Sequence, residues 1–165
     1  MKTAILPGSY DPITNGHLDI IRRTADMYDK VIVAVGKNNE KQYTLTVKQR
    51  LKLINDAIKD IKNASAESFD GFLVDYLKTK ENPIIVKGIR DYKDYLYEYE
   101  MAKTNKELAK TKHGLKAETI LLVSDKKYSN ISSTRVRELI NEAETCSKLV
   151  PNYSLLIEIL EENSH

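Results

Sequence analysis

The sequence predicts a single α/β domain, residues 1–165, in which five parallel strands form a doubly wound sheet and helices close the C-terminal end. Three observations lead to this fold class. Short apolar segments alternate with amphipathic ones, two of the apolar segments (31–35 and 83–86) are rich in β-branched residues, and no repeat or low-complexity linker interrupts the alternation. Short apolar strands that alternate with helices pair in parallel and carry helices on both faces of the sheet.

The first half of the chain contains three predicted strands and two predicted helices. The apolar run 3–6 ends at a Pro-Gly pair, which predicts a strand that leads into a tight loop. Residues 31–35 are continuously apolar, as is typical of a strand buried on both faces. The ranges 17–28 and 46–61 carry apolar residues at helical spacing, and the second begins with a capping-box pattern. The third strand is expected over 64–69.

The second half continues the alternation and closes with helices. A short helix over 73–77 precedes a buried strand at 83–86, and a longer helix is expected from about residue 94 to residue 108. The fifth strand is expected over 119–123. Two helices are expected after Ser132.

The composition is that of a folded protein with a mixed surface. Hydrophobic residues make up 41% of the chain and charged residues 30%, which argues against a disordered chain. The formal net charge is only +2 and the lysines are interleaved with acids, so we expect no nucleic-acid binding. Only 110–116 is locally basic, and its lack of hydrophobic periodicity predicts a surface loop.

Three features bear on where the protein works. No apolar run approaches the roughly 20 residues that cross a bilayer, so we expect no membrane association. The apolar part of residues 1–7 is too short for a secretion signal. Cys146 is the single cysteine, so no intrachain disulfide can form. Together these features predict a cytoplasmic protein.

The loop 7–17 follows the first strand, and ligands of parallel sheets bind beyond the carboxyl ends of the strands. Gly8 lets the backbone approach a ligand closely, and the turn dipeptides Asp11-Pro12 and Asn15-Gly16 shape the loop. His17 then opens a helix, where the helix dipole disfavours a cationic imidazole unless an anion is bound. Backbone N–H groups and a histidine donor at this point suit a phosphate.

Two further segments place polar residues after strands. Residues 87–91, Lys-Gly-Ile-Arg-Asp, follow the strand at 83–86. Two cations around a glycine suit a phosphate clamp, although a solvated turn is the other interpretation. Residues 128–137 carry a run of hydroxyls at the start of a helix, which suits another anion site, whereas ordinary capping needs only one hydroxyl.

The segment Thr14-Asn15-Gly16-His17, with its lead-in from Gly8 to Pro12, resembles the (T/H)xGH signature of the nucleotidyltransferase superfamily. The resemblance implies a Rossmann-like nucleotidyltransferase fold. It also implies that His17 is a catalytic residue, which stabilises the transition state by donating to the α-phosphate of a nucleoside triphosphate. No covalent enzyme intermediate is then required.

Three blocks in this order, GSYDPITNGH at 8–17, KGIRDYKDYLYEYEMA at 87–102 and SNISSTRVR at 129–137, resemble the bacterial phosphopantetheine adenylyltransferase family over about 3–160. That family transfers AMP from ATP to 4′-phosphopantetheine, which gives dephospho-coenzyme A and pyrophosphate in the penultimate step of coenzyme A biosynthesis. The resemblance further implies Mg²⁺ that arrives with ATP and a homohexamer. Feedback inhibition by coenzyme A is a further expectation on the same ground.

The resemblance also assigns residues to the two substrates. It implies an ATP site made of Ser9, Tyr10, His17, Gly88, Ile89, Arg90, Glu98, Tyr128, Ser129, Asn130, Ile131, Ser132, Ser133 and Thr134. It implies that 4′-phosphopantetheine contacts Ser9, Lys41, Leu73 and Lys87, with the two lysines near its phosphate. No Asp/Glu cluster stands out as a metal site, so no protein ligand to Mg²⁺ is expected.

The residues alone leave three of these assignments open. Lys41 follows the second strand, and outside the family it would be interpreted as a solvated lysine. Leu73 would be interpreted as helix core. Glu98 lies among tyrosines, in a cluster more typical of helix packing than of a ligand site.

The chain also departs from the family pattern. Lys87 and Lys106 stand where arginine is common, Tyr128 stands where tryptophan is frequent, and the connection 109–117 is longer. A lysine keeps the charge but loses the bidentate fork of arginine, so a lower affinity for the acceptor is expected.

Other functions share part of this pattern. A cytidylyltransferase of a small phosphorylated alcohol, or an adenylyltransferase of nicotinamide mononucleotide, would share the first loop and His17 but not the other two blocks in this form. A non-catalytic nucleotide-sensing module would not need His17, Lys41 and Arg90 together. A class I aminoacyl-tRNA synthetase has a related motif, but 165 residues leave no room for its other parts.

Overall fold

A sheet of five parallel strands forms the centre of the computed structural model, which describes all of residues 1–165. The strands are β1 (Thr3–Gly8), β2 (Lys30–Lys37), β3 (Ala64–Asp70), β4 (Pro83–Ile89) and β5 (Glu118–Val123). Their spatial order is β3-β2-β1-β4-β5, and every neighbouring pair is parallel. The chain therefore builds the sheet outward from β1 on one side and returns to β4 on the other. The predicted doubly wound α/β sheet is confirmed.

Six α-helices connect and follow the strands: α1 (Asn15–Met27), α2 (Val47–Ala57), α3 (Leu73–Leu77), α4 (Tyr92–His113), α5 (Ser133–Asn141) and α6 (Tyr153–Asn163). A short 3₁₀ helix (Lys126–Tyr128) precedes α5. The predicted capping box of α2 is present, because the Thr46 side chain accepts from the Gln49 N–H and the Gln49 side chain accepts from the Thr46 N–H. No helix is both long and apolar enough to cross a membrane.

The continuous apolar character of β2 arises because both faces of the sheet are covered. Val31, Val33 and Val35 pack into one core cluster, which also contains buried residues of α1, α2, α5 and α6. Ile32 and Ala34 alternate onto the other face, where they pack with residues of α3 and α4. Successive side chains of a strand point to opposite faces, so apolar residues are favoured at every position of a strand that is covered on both faces.

Several element boundaries differ from the sequence prediction, among them the end of α2, which lies at Ala57 and not at residue 61, and the end of β1, which lies at Gly8. The basic segment 110–116 is not a loop throughout, because α4 continues to His113 and ends at Gly114, which has a φ of 61°. The Leu115 N–H closes this end by donating to the Ala109 carbonyl. The strand expected at 83–86 continues to Ile89, because β5 pairs with this whole extension. Lys87, Gly88 and Ile89 are therefore strand residues and not part of a loop.

The strands β1 and β4 pair over only a short length. Their register joins Thr3 to Pro83 and extends only to Ile5 and Ile85. Beyond that point β1 stays paired with β2 as far as Gly8, and β4 stays paired with β5 as far as Ile89. The two central strands therefore separate toward their carboxyl ends, at the switch in strand order where α/β sheets bind ligands.

Candidate active site

A cleft of about 330 Å³ occupies the gap between the ends of β1 and β4, in the size range of ligand pockets. The two strands supply its walls, and the starts of α1, α4 and α5 supply polar groups. The lining residues are Leu6, Pro7, Gly8, Ser9, Tyr10, Thr14, Gly16, His17, Ile20, Val86, Lys87, Gly88, Arg90, Asp94, Glu98, Ser124, Tyr128, Ile131, Ser132, Ser133 and Thr134.

Tyr10 shapes the loop between β1 and α1. Its backbone has a φ of 49°, and its hydroxyl donates to the Leu6 carbonyl at 2.9 Å. Burial raises the pKa of the Tyr10 phenol, so this group stays protonated and keeps its hydrogen bond. The ring lies 4.9 Å from the His17 ring, and a Cβ at Gly8 would come within 3.0 Å of it. Gly8 therefore makes room for the tyrosine ring as well as for a ligand.

The start of α1 fixes the orientation of the His17 imidazole. Thr14 is the N-cap, and the His17 N–H donates to its hydroxyl at 3.3 Å. In return, the Thr14 backbone N–H donates to His17 Nδ1 at 3.0 Å. A backbone N–H can only donate, so Nδ1 must be the acceptor of this hydrogen bond. The proton of the neutral imidazole is therefore on Nε2, the nitrogen left free to donate.

The surroundings of His17 keep its imidazole neutral. Burial, with the nearby positive charges of Lys87 and Arg90, lowers the pKa of His17 from 6.5 to about 4. The direction of this shift agrees with the disfavoured cation expected from the sequence, but its causes are burial and the two cations, whereas the expectation was based on the helix dipole. At neutral pH the cleft thus contains an oriented Nε2–H donor that carries no charge.

Two cations from the second block face this donor, and each is paired with an acid. Lys87 Nζ lies 3.3 Å from Glu98 Oε1 and also donates to the Pro7 carbonyl at 3.3 Å. Arg90 Nε donates to Asp94 Oδ2 at 2.8 Å, and Arg90 Nη2 donates to Asp94 Oδ1 at 3.2 Å. Asp94 therefore occupies one edge of the guanidinium group, and on the other edge Nη1 donates to the Ile131 carbonyl at 3.3 Å, which leaves the remaining N–H groups of Nη1 and Nη2 for a ligand.

The third block is tied to the first by hydrogen bonds from α5. Ser133 Oγ donates to the Pro12 carbonyl at 2.7 Å, and Arg137 Nη1 donates to the Asp11 carbonyl at 2.9 Å. Ser132 caps α5 by accepting from the Arg135 N–H. The first turns of α1 and α5 thus both face the cleft, so two helix N-termini direct their partial positive charge at it.

The predicted site residues fall into two groups. Most line the cleft together: Ser9, Tyr10, His17, Lys87, Gly88, Arg90, Glu98, Tyr128, Ile131, Ser132, Ser133 and Thr134. Five others do not line it: Ile89, Ser129, Asn130, Lys41 and Leu73. The ligand-binding roles of both groups stay predictions.

Lys41 and Leu73 lie near the same edge of the sheet as the cleft but outside its lining. Lys41 follows β2, and its Nζ lies 5.9 Å from the centre of the Tyr43 ring. Leu73 begins α3, which follows β3, and packs against the second core cluster. Leu73 is therefore a helix residue that packs on the core, as the interpretation from the residues alone predicted.

Sequence reasoning missed two of the cleft residues whose side chains make hydrogen bonds. Asp94 was not singled out, although its spacing of four residues from Arg90 on a helix was an available signal. Thr14 belongs to the motif, but no role was predicted for it. It lies three residues before His17, which is the spacing of the two members of a capping box. Gly88 also has a packing role, because a Cβ there would lie 2.8 Å from Ile20 Cγ1.

The lowered pKa of His17 predicts a pH dependence of stability in the ligand-free protein. Below pH 6.5 the unfolded chain binds a proton at this residue, whereas the native chain binds one only near pH 4. Stability should therefore fall as the pH drops through this window, by at most about 3 kcal/mol from this group. His17→Gln keeps the capping-box acceptor but removes the titration.

Urea unfolding between pH 7 and pH 4.5 measures this effect. The wild type should lose more stability than His17→Gln over that range. The terminal variant His165→Gln should follow the wild type, because His165 is exposed. Parallel curves for His17→Gln and the wild type would contradict the assigned shift.

Comparison with known proteins identifies the relatives of the chain. The family model described as cytidylyltransferase-like matches residues 5–139. The phosphopantetheine adenylyltransferase of Clostridium beijerinckii is 45% identical, covering 92% of this chain and 92% of that protein. The phosphopantetheine adenylyltransferases of Clostridium novyi and Dictyoglomus turgidum are each 43% identical, covering 92% and 93% of this chain and 91% and 92% of those proteins.

A solved structure supports the fold alone. The crystal structure of a putative nicotinate-nucleotide adenylyltransferase from Vibrio parahaemolyticus superposes with a TM-score of 0.64 at 18% identity, covering 96% of this chain and 93% of that one. The chain belongs to the phosphopantetheine adenylyltransferase family, within the cytidylyltransferase-like group of enzymes.

Proposed function

We propose that this chain transfers AMP from ATP to 4′-phosphopantetheine and releases pyrophosphate and dephospho-coenzyme A. The family supports the reaction, and one observation supports the mechanism: His17 offers an oriented, neutral Nε2–H donor beside two cations in a cleft at the switch point. An uncharged donor of fixed direction suits a step in which negative charge grows on a phosphate oxygen.

In this mechanism the phosphate of 4′-phosphopantetheine attacks the α-phosphorus of ATP. A new P–O bond forms there, while the bond between the α-phosphorus and the oxygen that bridges to the β-phosphate breaks, and pyrophosphate leaves with its electron pair. His17 Nε2–H donates to a non-bridging oxygen of the α-phosphate as its charge grows. Lys87 and Arg90 balance the charge of the phosphates around it.

The N-terminus of α5 provides a second group of donors. Ser133 and Thr134 lie in the first turn of this helix and line the cleft together with the N-cap Ser132. Their backbone N–H groups include some that no helical carbonyl satisfies. We assign this turn to the phosphates of ATP, and the opposite turn, at the start of α1, to the reacting α-phosphate.

The acceptor is proposed to extend from the cleft along the edge of the sheet. Lys87 lies at the end of β4, Lys41 follows β2 and Leu73 follows β3, and the carboxyl ends of parallel strands meet at one edge. The pantetheine arm would pass from the cleft toward Leu73, with Lys41 and Lys87 near its phosphate. The absence of Lys41 and Leu73 from the cleft lining is consistent with a ligand longer than the cleft.

Mg²⁺ is proposed to enter with ATP. The two acids that line the cleft, Asp94 and Glu98, already pair with Arg90 and Lys87, and no group of three or more acidic, His or Cys side chains is arranged to hold a metal ion. Mg²⁺ keeps water and phosphate oxygens as ligands readily. When bound it supplies charge neutralisation on the phosphates, while the protein groups named above position them.

An assay with three acceptors tests the proposed reaction. Purified protein with ATP, Mg²⁺ and 4′-phosphopantetheine should release pyrophosphate and form dephospho-coenzyme A in equal amounts. Nicotinamide mononucleotide with ATP, and a phosphorylated alcohol with CTP, should give no product. Added coenzyme A should slow the reaction, since it contains the pantetheine and adenosine parts of both substrates. If ATP binds but no acceptor yields pyrophosphate, the proposal is wrong and a nucleotide-sensing role replaces it.

His17→Ala tests the role of the imidazole. Turnover should fall by about 10²–10³-fold, the usual loss for one donor to a developing oxyanion, while the affinity for ATP changes little. His113→Ala is the matched control, because His113 also lies on a helix but pairs with Asp75 away from the cleft. A His17→Ala enzyme that turns over at nearly the rate of the wild type would refute the role.

We also propose that copies of the chain assemble through α4, as a homohexamer. This helix has 22 residues but only one buried residue, Ala109. Its exposed large apolar side chains are Tyr92, Tyr95, Leu96, Tyr97, Tyr99 and Met101. It packs beside the edge strand β5, which exposes Ile120 and Val123. Apolar area of this extent is typical of a subunit interface.

Light scattering during gel filtration measures the assembly. The wild type should have a mass of about six times the 18.9 kDa of one chain. Tyr97→Glu should lower this mass, because a carboxylate would be buried in the interface. Met27→Glu changes an exposed methionine on α1 and should leave the mass unchanged. A monomeric wild type would contradict the proposal.

A cytoplasmic location is proposed from the substrate, since ATP is supplied inside the cell. Cell fractionation followed by immunoblotting tests this location. Recovery of the protein outside the cytoplasmic fraction would contradict it.

A further inference from the structure

Arg50 is a buried cation without an acidic partner. Its side chain lies in α2 and is 1% exposed. Asp11 is the other buried charged residue, but its carboxylate oxygens accept from the Thr44 and Leu45 N–H groups at 2.9 Å, and no ion pair joins it to Arg50. A buried charge without a counter-ion is costly, so its presence needs an explanation.

The contacts of Arg50 connect it to the cleft through Ser9. Its Nη1 donates to the Ser9 carbonyl at 2.8 Å, and its guanidinium carbon lies 4.0 Å from the centre of the Tyr43 ring. Its Nε is buried and has no hydrogen-bond partner. Arg50 does not line the cleft, whereas Ser9 does. The guanidinium group thus lies behind the first loop and acts on it through one carbonyl.

That hydrogen bond sets the direction of a peptide group. The Ser9–Tyr10 bond is trans, since the one cis bond in the chain is Asp11-Pro12. In a trans peptide the C=O and the N–H point in opposite directions. With the Ser9 carbonyl directed at Arg50, the Tyr10 N–H points away from Arg50, and both Ser9 and Tyr10 line the cleft. This N–H has no acceptor in the protein.

We propose that Arg50 is a positioning residue for anion binding, which holds the Ser9–Tyr10 peptide with its N–H toward a bound phosphate and adds its buried positive charge behind it. The bound phosphate is the counter-ion that the ligand-free protein does not provide. The inference rests on the proposed nucleotidyl transfer only for the identity of the anion, a phosphate of ATP or pyrophosphate. Arg50 itself contacts neither substrate.

Binding of pyrophosphate to three variants tests the proposal. Calorimetry should show Arg50→Met binding about 10- to 100-fold more weakly than the wild type, the range of one charge-assisted hydrogen bond. Arg50→Lys keeps a charge and a donor and should recover most of the affinity. Arg22→Met, which removes an exposed arginine paired with Asp60, is the control and should bind as the wild type does. Wild-type affinity in Arg50→Met, or equal losses in Arg50→Met and Arg50→Lys, would overturn the proposal.

Steady-state kinetics adds a measurement that a purely structural role would not affect selectively. In Arg50→Met the KM for ATP should rise by about the same factor as the pyrophosphate Kd, while kcat changes by only a few fold. A fall in kcat with an unchanged KM would contradict a role in anion binding. If the wild type binds pyrophosphate but transfers no AMP, the proposed function fails, and the binding comparison still decides the role of Arg50.

A measurement on the wild type alone applies even if a variant does not fold. In ¹⁵N-labelled protein, the Tyr10 amide proton should shift downfield when pyrophosphate is added and should exchange with solvent more slowly. The Gly71 amide, in the turn between β3 and α3, is the internal control and should not respond. No response at Tyr10 under saturating pyrophosphate would overturn the proposal.

Discussion

The separation of β1 from β4 is the constraint on which the candidate site depends. The two strands pair only as far as Ile5 and Ile85, and each then follows its outer neighbour. The residues just beyond this point, from Leu6 on one strand and from Val86 on the other, line the cleft. Pro7 lies in this stretch and has no N–H to give to a ladder with β4. The opening is therefore a property of the sheet and does not require a loop to move.

The capping box of α1 then joins the stability of the helix to the chemistry of the site. A glutamate or glutamine is the usual partner of a Ser/Thr N-cap in this motif, and here His17 takes that place. Its Nδ1 accepts from the N–H of the helix N-cap, Thr14, and its Nε2–H is left to donate to a ligand in the cleft. One side chain thus satisfies an orphan backbone N–H and presents a donor in a fixed direction. The same hydrogen bond explains why the neutral imidazole has a single tautomer.

Local patterns in the sequence are sufficient to predict the sheet, most of the helices and the three blocks around the cleft. The strands were recognisable because both faces are covered, and the site was recognisable because unusual residues follow the strands. Long-range pairing was not recognisable in this way. The extension of β4 through Lys87 depends on pairing with β5, which the apolar pattern of β4 alone does not contain. No role for Arg50 follows from a local motif, although its spacing from Leu53, Ile54 and Ala57 places it on the buried face of α2. Its contacts with Tyr43 and Ser9 depend on the tertiary structure.

The close approach of α1 to β4 at Gly88 has a consequence for the placement of the imidazole. Ile20 lies one turn after His17, and its side chain occupies the space that a Cβ at position 88 would need. The lack of a side chain at Gly88 lets α1 lie close to β4. It therefore sets the distance between the His17 donor on α1 and the Lys87 cation on β4. A larger residue at position 88 would therefore push on Ile20 and displace α1, so a residue 71 positions away in the chain limits where the His17 imidazole can lie.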